Sequence, residues 1–261
     1  MRNKLTDELA VCGMNAVLAV GQHHPESINR LFLREDRMQS FSGVCKQLAE
    51  RKRPYKICED DELERICKSV HHQGVVAMIV EPVVEFLSIE DLDLWAAEAK
   101  TGIVLHSVGN DHNLGAIVRA AAFFGASFIV LNEKDTAFSS EFSDEIRLTT
   151  SAYRVAEGAM EFLTVRKVTN TAAFLKDASK ELLTIGTDIR ARRRISDLKD
   201  IVKNKAKKPG MVLVLGNEET GLPENVKDQC TCLLRIPGTG NIESLNVSQA
   251  AALFMHSIFE S

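Results

Sequence analysis

The chain has 261 residues, 45% hydrophobic and 26% charged, the proportions of a folded globular protein and not of a disordered one. Its net charge of −4 leaves no chain-wide basic field, so any nucleic-acid surface must be a local patch. Six scattered cysteines form no C-x-x-C pair and no apolar run approaches the length of a membrane span, which leads to the expectation of a cytoplasmic protein with reduced thiols and no membrane partner.

Residues 13–81 read as alternating elements. "GMNAVLAVGQ" predicts a short amphipathic helix, "NRLFLRED" a strand and "FSGVCKQLAERKR" a helix. "YKICED" follows as a strand, "DELERICKSV" as a helix and "GVVAMIVE" as a strand. Cys58, Cys67, His71 and His72 fall in this stretch, but their spacing matches no common zinc pattern, so no metal is expected. The composition turns polar and acidic around "EPVVEFLSIEDLDLWAAEAK". This places a small α/β domain at 1–88, a linker with a connecting helix at 89–100 and a second domain at 101–261.

From residue 101, "GIVLHSV" and "SFIVLN" are apolar runs without polar alternation, as in strands buried on both faces. "NLGAIVRAAAFFG" between them predicts a helix ended by Gly125. Further strands are expected at "VRKVTN", "LLTIGTD", "MVLVLG" and "TCLLRIP", with helices around 153–162, 170–181, 223–230 and 245–260. Strands alternating with helices imply an α/β fold on a parallel sheet, with ligands at the carboxyl ends of its strands.

Three strand-to-helix loops carry more polar residues and glycines than a plain turn requires: Ser107–Gly115, Leu215–Pro223 and Pro237–Asn246. Glycine lets backbone groups approach a ligand closely, and three such loops on one sheet suggest a cleft. The phosphate-loop template fails, because Leu222 and Pro223 stand where Lys and Ser/Thr are needed. The dinucleotide template fails too, because Glu243 replaces the third glycine of "GTGNIE". None of the three loops contains Lys or Arg, which favours a ligand gripped through backbone over a phosphate-rich one.

"NDHNLGAIVRAAAFFGA", "VLVLGNEETGLP" and "IPGTGNIESLNVSQAAALF" occur in that order and resemble the three motifs of the SpoU (TrmH-type) RNA ribose 2′-O-methyltransferases of the SPOUT superfamily. Upstream, "CGMNAVLAV" and "VHHQGVVAMI" resemble the small RNA substrate-binding domain that precedes the catalytic domain in many rRNA-modifying members. The resemblance implies S-adenosylmethionine as methyl donor, a trefoil knot in the carboxyl-terminal domain, and a homodimer formed through that domain. It implies rRNA or tRNA as substrate, with no DNA expected. By the same likeness Gly216, Ile236 and Leu245 hold the cofactor through main-chain groups, and Arg119 is the central catalytic residue, helped by Asn113, Glu218, Ser244 and Asn246.

An arginine is a poor base because its pKa exceeds about 12. A role for Arg119 in binding the target phosphate and stabilising the developing alkoxide fits its chemistry better. Asn113 and Glu218 would then orient Arg119 and the ribose, while Ser244 and Asn246 would fix the loop and the acceptor. One position departs from the family pattern: Gly238 replaces the methionine of Ile-Pro-Met, which enlarges the pocket or loosens the loop.

Read without the resemblance, the same residues have plainer roles. Arg119 in "AIVRAAAFF" would be an arginine reaching the surface, Ser244 a helix N-cap, Asn113 the cap of a helix starting at Leu114, and Glu218 a solvated acid. "RARRRISDLKDIVKNKAKK", residues 190–208, has nine Lys/Arg against two acids and suits either a solvated face or a phosphate-binding patch. "ERKRPYK" at 50–56 is a smaller patch of the same kind. The alternative function is an RNA-binding or assembly protein that keeps the fold without turnover.

Overall fold

The computed structural model describes residues 8–133, 148–204 and 209–261, together with the backbone of 2–3, 139–140 and 143–146. Two compact units divide the chain, Met1–Val83 with Leu148–Phe162, and Val84–Arg147 with Leu163–Ser261.

The first unit contains β1 (Arg2–Asn3), β2 (Glu8–Cys12), α1 (Met14–His23), β3 (Ile28–Leu33), α2 (Ser42–Glu50), β4 (Tyr55–Ile57), α3 (Asp60–Cys67) and β5 (Val75–Val80). They form one sheet in the order β1-β2-β5-β3-β4, antiparallel except for the β3/β4 pair. Strand β2 was not legible in the sequence. Its apolar run is only Leu9–Cys12, and Glu8, which opens the strand behind Asp7, is only 4% exposed and ion-paired with Arg30 from β3. Cys12, Cys58 and Cys67 pack in the core of this unit, and His72 is buried in a turn where its Nδ1 accepts a hydrogen bond from Gly74 N at 3.1 Å.

Leu148–Phe162 also belongs to this unit, although the sequence placed it within the second domain. Its helix α6 (Thr150–Ala156) is capped by the Thr149 hydroxyl, and it buries Ala152, Tyr153 and Ala156 beside β2. Gly158 follows at φ 91, where a Cβ would lie 2.7 Å from the Ala19 methyl and 2.9 Å from the Asn15 carbonyl oxygen. Glu161, with its side chain 8% exposed, is pushed above the ordinary carboxyl range by burial, an effect partly offset by His24 at 3.7 Å. A raised carboxyl stabilises the fold below its unfolded pKa of about 4.3, and that contribution is lost as pH climbs through the folded value. Glu161→Gln is therefore expected to raise the melting temperature at neutral pH and to gain nothing near pH 4. Parallel melting curves for the two proteins across that range would contradict this.

The second unit contains β6 (Glu85–Phe86), α4 (Ile89–Ala97), β7 (Gly102–Leu105), α5 (Asp111–Phe124), β8 (Phe128–Asn132), and the short pair β9 (Ser139–Ser140) and β10 (Ser143–Ile146). It continues with β11 (Thr164–Val168), α7 (Thr171–Ala178), β12 (Leu183–Thr187), β13 (Arg193–Arg194), α8 (Leu198–Lys203), β14 (Met211–Leu215), α9 (Glu224–Lys227), β15 (Cys232–Arg235) and α10 (Val247–Phe259). Eight strands form one sheet in the order β13-β15-β12-β14-β7-β8-β11-β6, and every pairing in it is parallel. The α/β expectation thus holds, with β7, β8 and β14 buried at every position.

Within 89–100, expected as linker with a connecting helix, α4 has a capping box between Ser88 and Asp91, and it buries Leu92 and Trp95 in the core of this unit. The Trp95 ring stacks flat on Phe128 at 3.6 Å, and Gly102 leaves room for that phenyl ring, which a Cβ would meet at 2.3 Å. Helix α5 buries Leu114, Ile117, Val118 and Ala121, the spacing of one helical face, and packs against α10. Among the described residues, no helix is long and apolar enough to cross a membrane.

Candidate active site

Because the strands run parallel, the loops after β7, β14 and β15 leave the same edge of the sheet. The first loop ends in an N-cap. Asn110 Oδ1 accepts a hydrogen bond from His112 N at 2.8 Å, so the cap of α5 is Asn110, and Asn113 lies inside the first turn with its side chain released for other contacts. In the third loop Asn246, and not Ser244, caps α10: its Oδ1 accepts from Ser248 N at 2.8 Å and Ser248 Oγ at 2.6 Å. Both caps satisfy backbone N–H groups that a helix start leaves without partners.

The three loops are joined by side chains. Asn113 Nδ2 donates to Glu218 Oε1 at 2.7 Å, and Gly109 N donates to Glu218 Oε2 at 3.3 Å, so both carboxylate oxygens of the second loop grip the first. Asn246 Nδ2 donates to Asn113 Oδ1 at 3.1 Å, which ties the third loop to the same point. An amide presents a donor and an acceptor together, and Asn113 uses both to link an acid on one side to an amide on the other. Asn113, Glu218 and Asn246 therefore form one hydrogen-bonded chain across residues separated by more than a hundred positions.

The other candidates lie on α5 and on the second and third loops. Arg119 lies six residues beyond Asn113 on α5, exposed, and is not a member of the chain. Ser244 and Leu245 are exposed in the third loop, and Ile236 is half-buried at its start. Gly216 is buried at the root of the second loop, where an added Cβ would lie 2.4 Å from the Gly221 carbonyl carbon and 2.6 Å from its oxygen. Only a residue without a side chain lets the returning backbone pass so close. That return is fixed by Gly221 N donating to Asn217 O at 2.9 Å, with Gly221 itself at φ 68. Gly238 is different, since a Cβ there meets nothing within 4 Å.

Two groups of residues were not legible in the sequence. Asn217 Nδ2 donates to Ser107 O at 2.8 Å, while its Oδ1 accepts from Glu219 N at 2.9 Å and Thr220 N at 3.1 Å. It therefore shapes the second loop and holds it to the first. The Asn after a glycine in "GNEET" is the signal for such a turn. Ser107 takes φ 58, a left-handed conformation costing a non-glycine residue on the order of 1 kcal/mol. Beneath the first loop His106 Nδ1 lies 3.0 Å from Thr171 Oγ1 and 3.2 Å from Asn132 Nδ2, and Asn132 also donates to Thr171 Oγ1 at 3.1 Å. These residues are far apart in sequence and only the sheet brings them together. Among the described residues no group of His, Cys, Asp and Glu is arranged to hold a metal ion.

Comparison with known proteins points one way. Residues 100–256 match the model of the SpoU rRNA Methylase family, and residues 10–83 match the model described as RNA 2′-O ribose methyltransferase substrate binding. The chain is 30% identical over 257 residues to the 23S rRNA (guanosine-2′-O-)-methyltransferase RlmB of Nitrosomonas europaea, covering 98% of this chain and 92% of that protein. It is 33% identical over 193 residues to the putative TrmH family tRNA/rRNA methyltransferase YacO of Bacillus subtilis, covering 72% and 70% of the two chains. The fold is that of the SpoU methyltransferase AviRb from Streptomyces viridochromogenes, solved in complex with AdoMet. The TM-score is 0.70 at 18% identity, with 97% of this chain and 90% of that chain covered.

Proposed function

The chain belongs to the SpoU rRNA Methylase family, and from that premise we propose that it transfers a methyl group from S-adenosylmethionine to a ribose 2′-hydroxyl of rRNA or tRNA. The observation that carries the proposal is the hydrogen-bonded chain Glu218–Asn113–Asn246, which gathers three loops at the carboxyl edge of a parallel sheet.

The residues present suit the cofactor. The three loops carry no Lys or Arg, and the close backbone return over Gly216 leaves main-chain N–H and C=O groups to do the gripping. Gly216, Ile236 and Leu245 would hold it. When bound, the cofactor supplies an electrophilic methyl group on a sulfonium. The protein's share is then to position the acceptor and manage one proton.

Arg119 would pair with the phosphate of the target nucleotide and stabilise charge developing on the 2′-oxygen, a task suited to its planar fork of donors. Asn113, held by Glu218 and Asn246, would fix the first loop against the ribose. Ser244 would face the acceptor from the third loop. A homodimer through the second unit is supported by the apolar residues that α5 and α10 leave outside, Phe123 at 82% and Leu253 at 47% exposed. Arg119 and Phe123 are one helical turn apart on the same face, so such a dimer would bring Arg119 towards the interface. The position of β15 between β12 and β13, with β14 already laid on the far side of β12, suits a trefoil knot. An activity on rRNA or tRNA supports a cytoplasmic location.

Calorimetric titration with S-adenosylmethionine and S-adenosylhomocysteine tests the cofactor assignment. Micromolar binding of both supports it. Absence of binding, with and without added RNA, would leave a non-catalytic RNA-binding protein as the better reading. Gly238→Met gives a finer check. The space around Gly238 accepts the side chain, and burying part of a methionine against the cofactor is worth up to about 1.4 kcal/mol. Affinity is therefore expected to tighten by up to about tenfold with no loss of thermal stability. Weaker binding by the methionine variant would contradict this.

A further inference from the structure

We propose that Arg190, Arg192, Arg193, Arg194 and Arg235, clustered at one edge of the large sheet, form a site for the phosphodiester backbone of the RNA strand flanking the methylated nucleotide. This rests on the function proposed above and names the surface that holds its substrate.

Strand β13 is the edge of the sheet, and its register sets Arg193 beside Leu234 and Arg194 beside Arg235. Arg190, Arg192, Arg193 and Arg194 are exposed and Arg235 is half-buried. Like charges placed directly opposite one another on paired strands repel, so Arg194 beside Arg235 costs stability unless an anion sits between them. Among the described residues no carboxylate is ion-paired with either side chain. Asp188 is taken by Lys227, whose Nζ lies 2.8 Å from Asp188 Oδ2, and Asp197 accepts from the backbone N of Arg194 at 2.8 Å. Glu243, in the loop after β15, is exposed. Among the described residues none of the five guanidinium groups forms an ion pair. Asp188 and Asp197 lie beside the cluster and accept from the backbone N of Arg190 and Arg194, so five guanidinium groups there face two carboxylates.

The cluster also lies at the right end of the sheet. Thr187 of β12 and Arg193 of β13 both flank Leu234, so the arginines stand level with the carboxyl ends from which the catalytic loops emerge. Three inter-strand steps of about 4.8 Å separate β13 from β14, the strand that leads into Glu218, or roughly 14 Å. That span suits phosphates a few nucleotides from the target ribose. Arginine forks match phosphate oxygens in pairs, and such contacts fix the register of a strand without reading its sequence. The basic run continues beyond Lys203 into residues 205–208, which lie outside the described residues.

The test measures binding of a fluorescein-labelled, mixed-sequence single-stranded RNA across a range of salt concentrations. The full-length protein is compared with the triple variant Arg192→Ser/Arg193→Ser/Arg194→Ser and with the corresponding triple Lys variant. Every phosphate of a single strand that the protein no longer neutralises takes about 0.7 from the slope of log K against log salt, so the Ser variant should be shallower by about two units. S-adenosylmethionine binding should be unchanged, and the Lys variant should recover most of the slope. An unchanged slope in the Ser variant overturns the proposal. If that variant loses cofactor binding through misfolding, Arg190→Ser/Arg192→Ser, outside β13, is read instead, with an expected change of about 1.4 and the same overturning result. Methyl transfer by the wild type with no slope change in the variants defeats the patch alone. Salt-dependent RNA binding through the patch with no transfer defeats the function alone.

Discussion

Arg119→Ala is expected to lower the rate of methyl transfer by about 10²–10³-fold, the usual cost of removing one group that stabilises developing charge. The side chain is exposed on α5, and the buried face of that helix is supplied by Leu114, Ile117, Val118 and Ala121. Stability should therefore change by no more than about 0.5 kcal/mol, and cofactor affinity should stay close to wild type. Arg119→Lys keeps the charge but loses the paired donors, so it should fall between the two. Single-turnover rates with saturating RNA, together with calorimetry of cofactor binding, separate these effects. A near-normal rate in Arg119→Ala would remove Arg119 from the reaction. Loss of cofactor binding in the same variant would assign it a structural task.

Gly216→Ala should fail at the earlier step. A methyl group 2.4 Å from the Gly221 carbonyl carbon cannot be accommodated by rotating a side chain, because the obstacle is backbone. The second loop must move away, and with it Asn217, which holds Ser107, and Glu218, which holds Asn113 and Gly109. Overpacking of this kind costs about 1–3 kcal/mol. If that cost falls on the binding-competent loop, cofactor affinity drops by roughly ten- to a hundredfold. Strand β14 below the loop stays buried and paired on both sides, so the sheet should survive. Calorimetry and thermal melting read the two quantities separately. Cofactor binding equal to wild type would show that the close return over Gly216 has no bearing on the pocket.

The parallel sheet was legible because its central strands β7, β8 and β14 are buried at every position, and the long helices because their apolar residues keep a helical spacing. Strand β2 escaped because its apolar run is four residues long and the acid that opens it, Glu8, is buried only through a partner, Arg30, on another strand. The assignment of Leu148–Phe162 to the first unit escaped for a similar reason: an amphipathic helix declares that it has a buried face but not which core receives it. At the site, sequence motifs marked Asn113, Glu218 and Asn246, yet nothing in the chain order says that one amide would bridge the other two. The caps lie two or three residues from where the sequence suggests them, at Asn246 and not Ser244, and at Asn110 and not Asn113. Several polar residues lie together in each loop, and only the backbone path decides which of them meets the helix start. The cluster of His106, Asn132 and Thr171 depends wholly on which strands become neighbours.

Everything proposed for the three loops converges on transfer of a methyl group to a ribose hydroxyl. The most direct measurement incubates the purified full-length protein with isotopically labelled S-adenosylmethionine and unmodified 23S rRNA or tRNA transcripts, then digests the RNA to nucleosides for mass spectrometry. Labelled 2′-O-methylnucleoside is expected, and it should be lost in Arg119→Ala. Label on a base, or no label in any RNA from a protein that binds the cofactor, would contradict it.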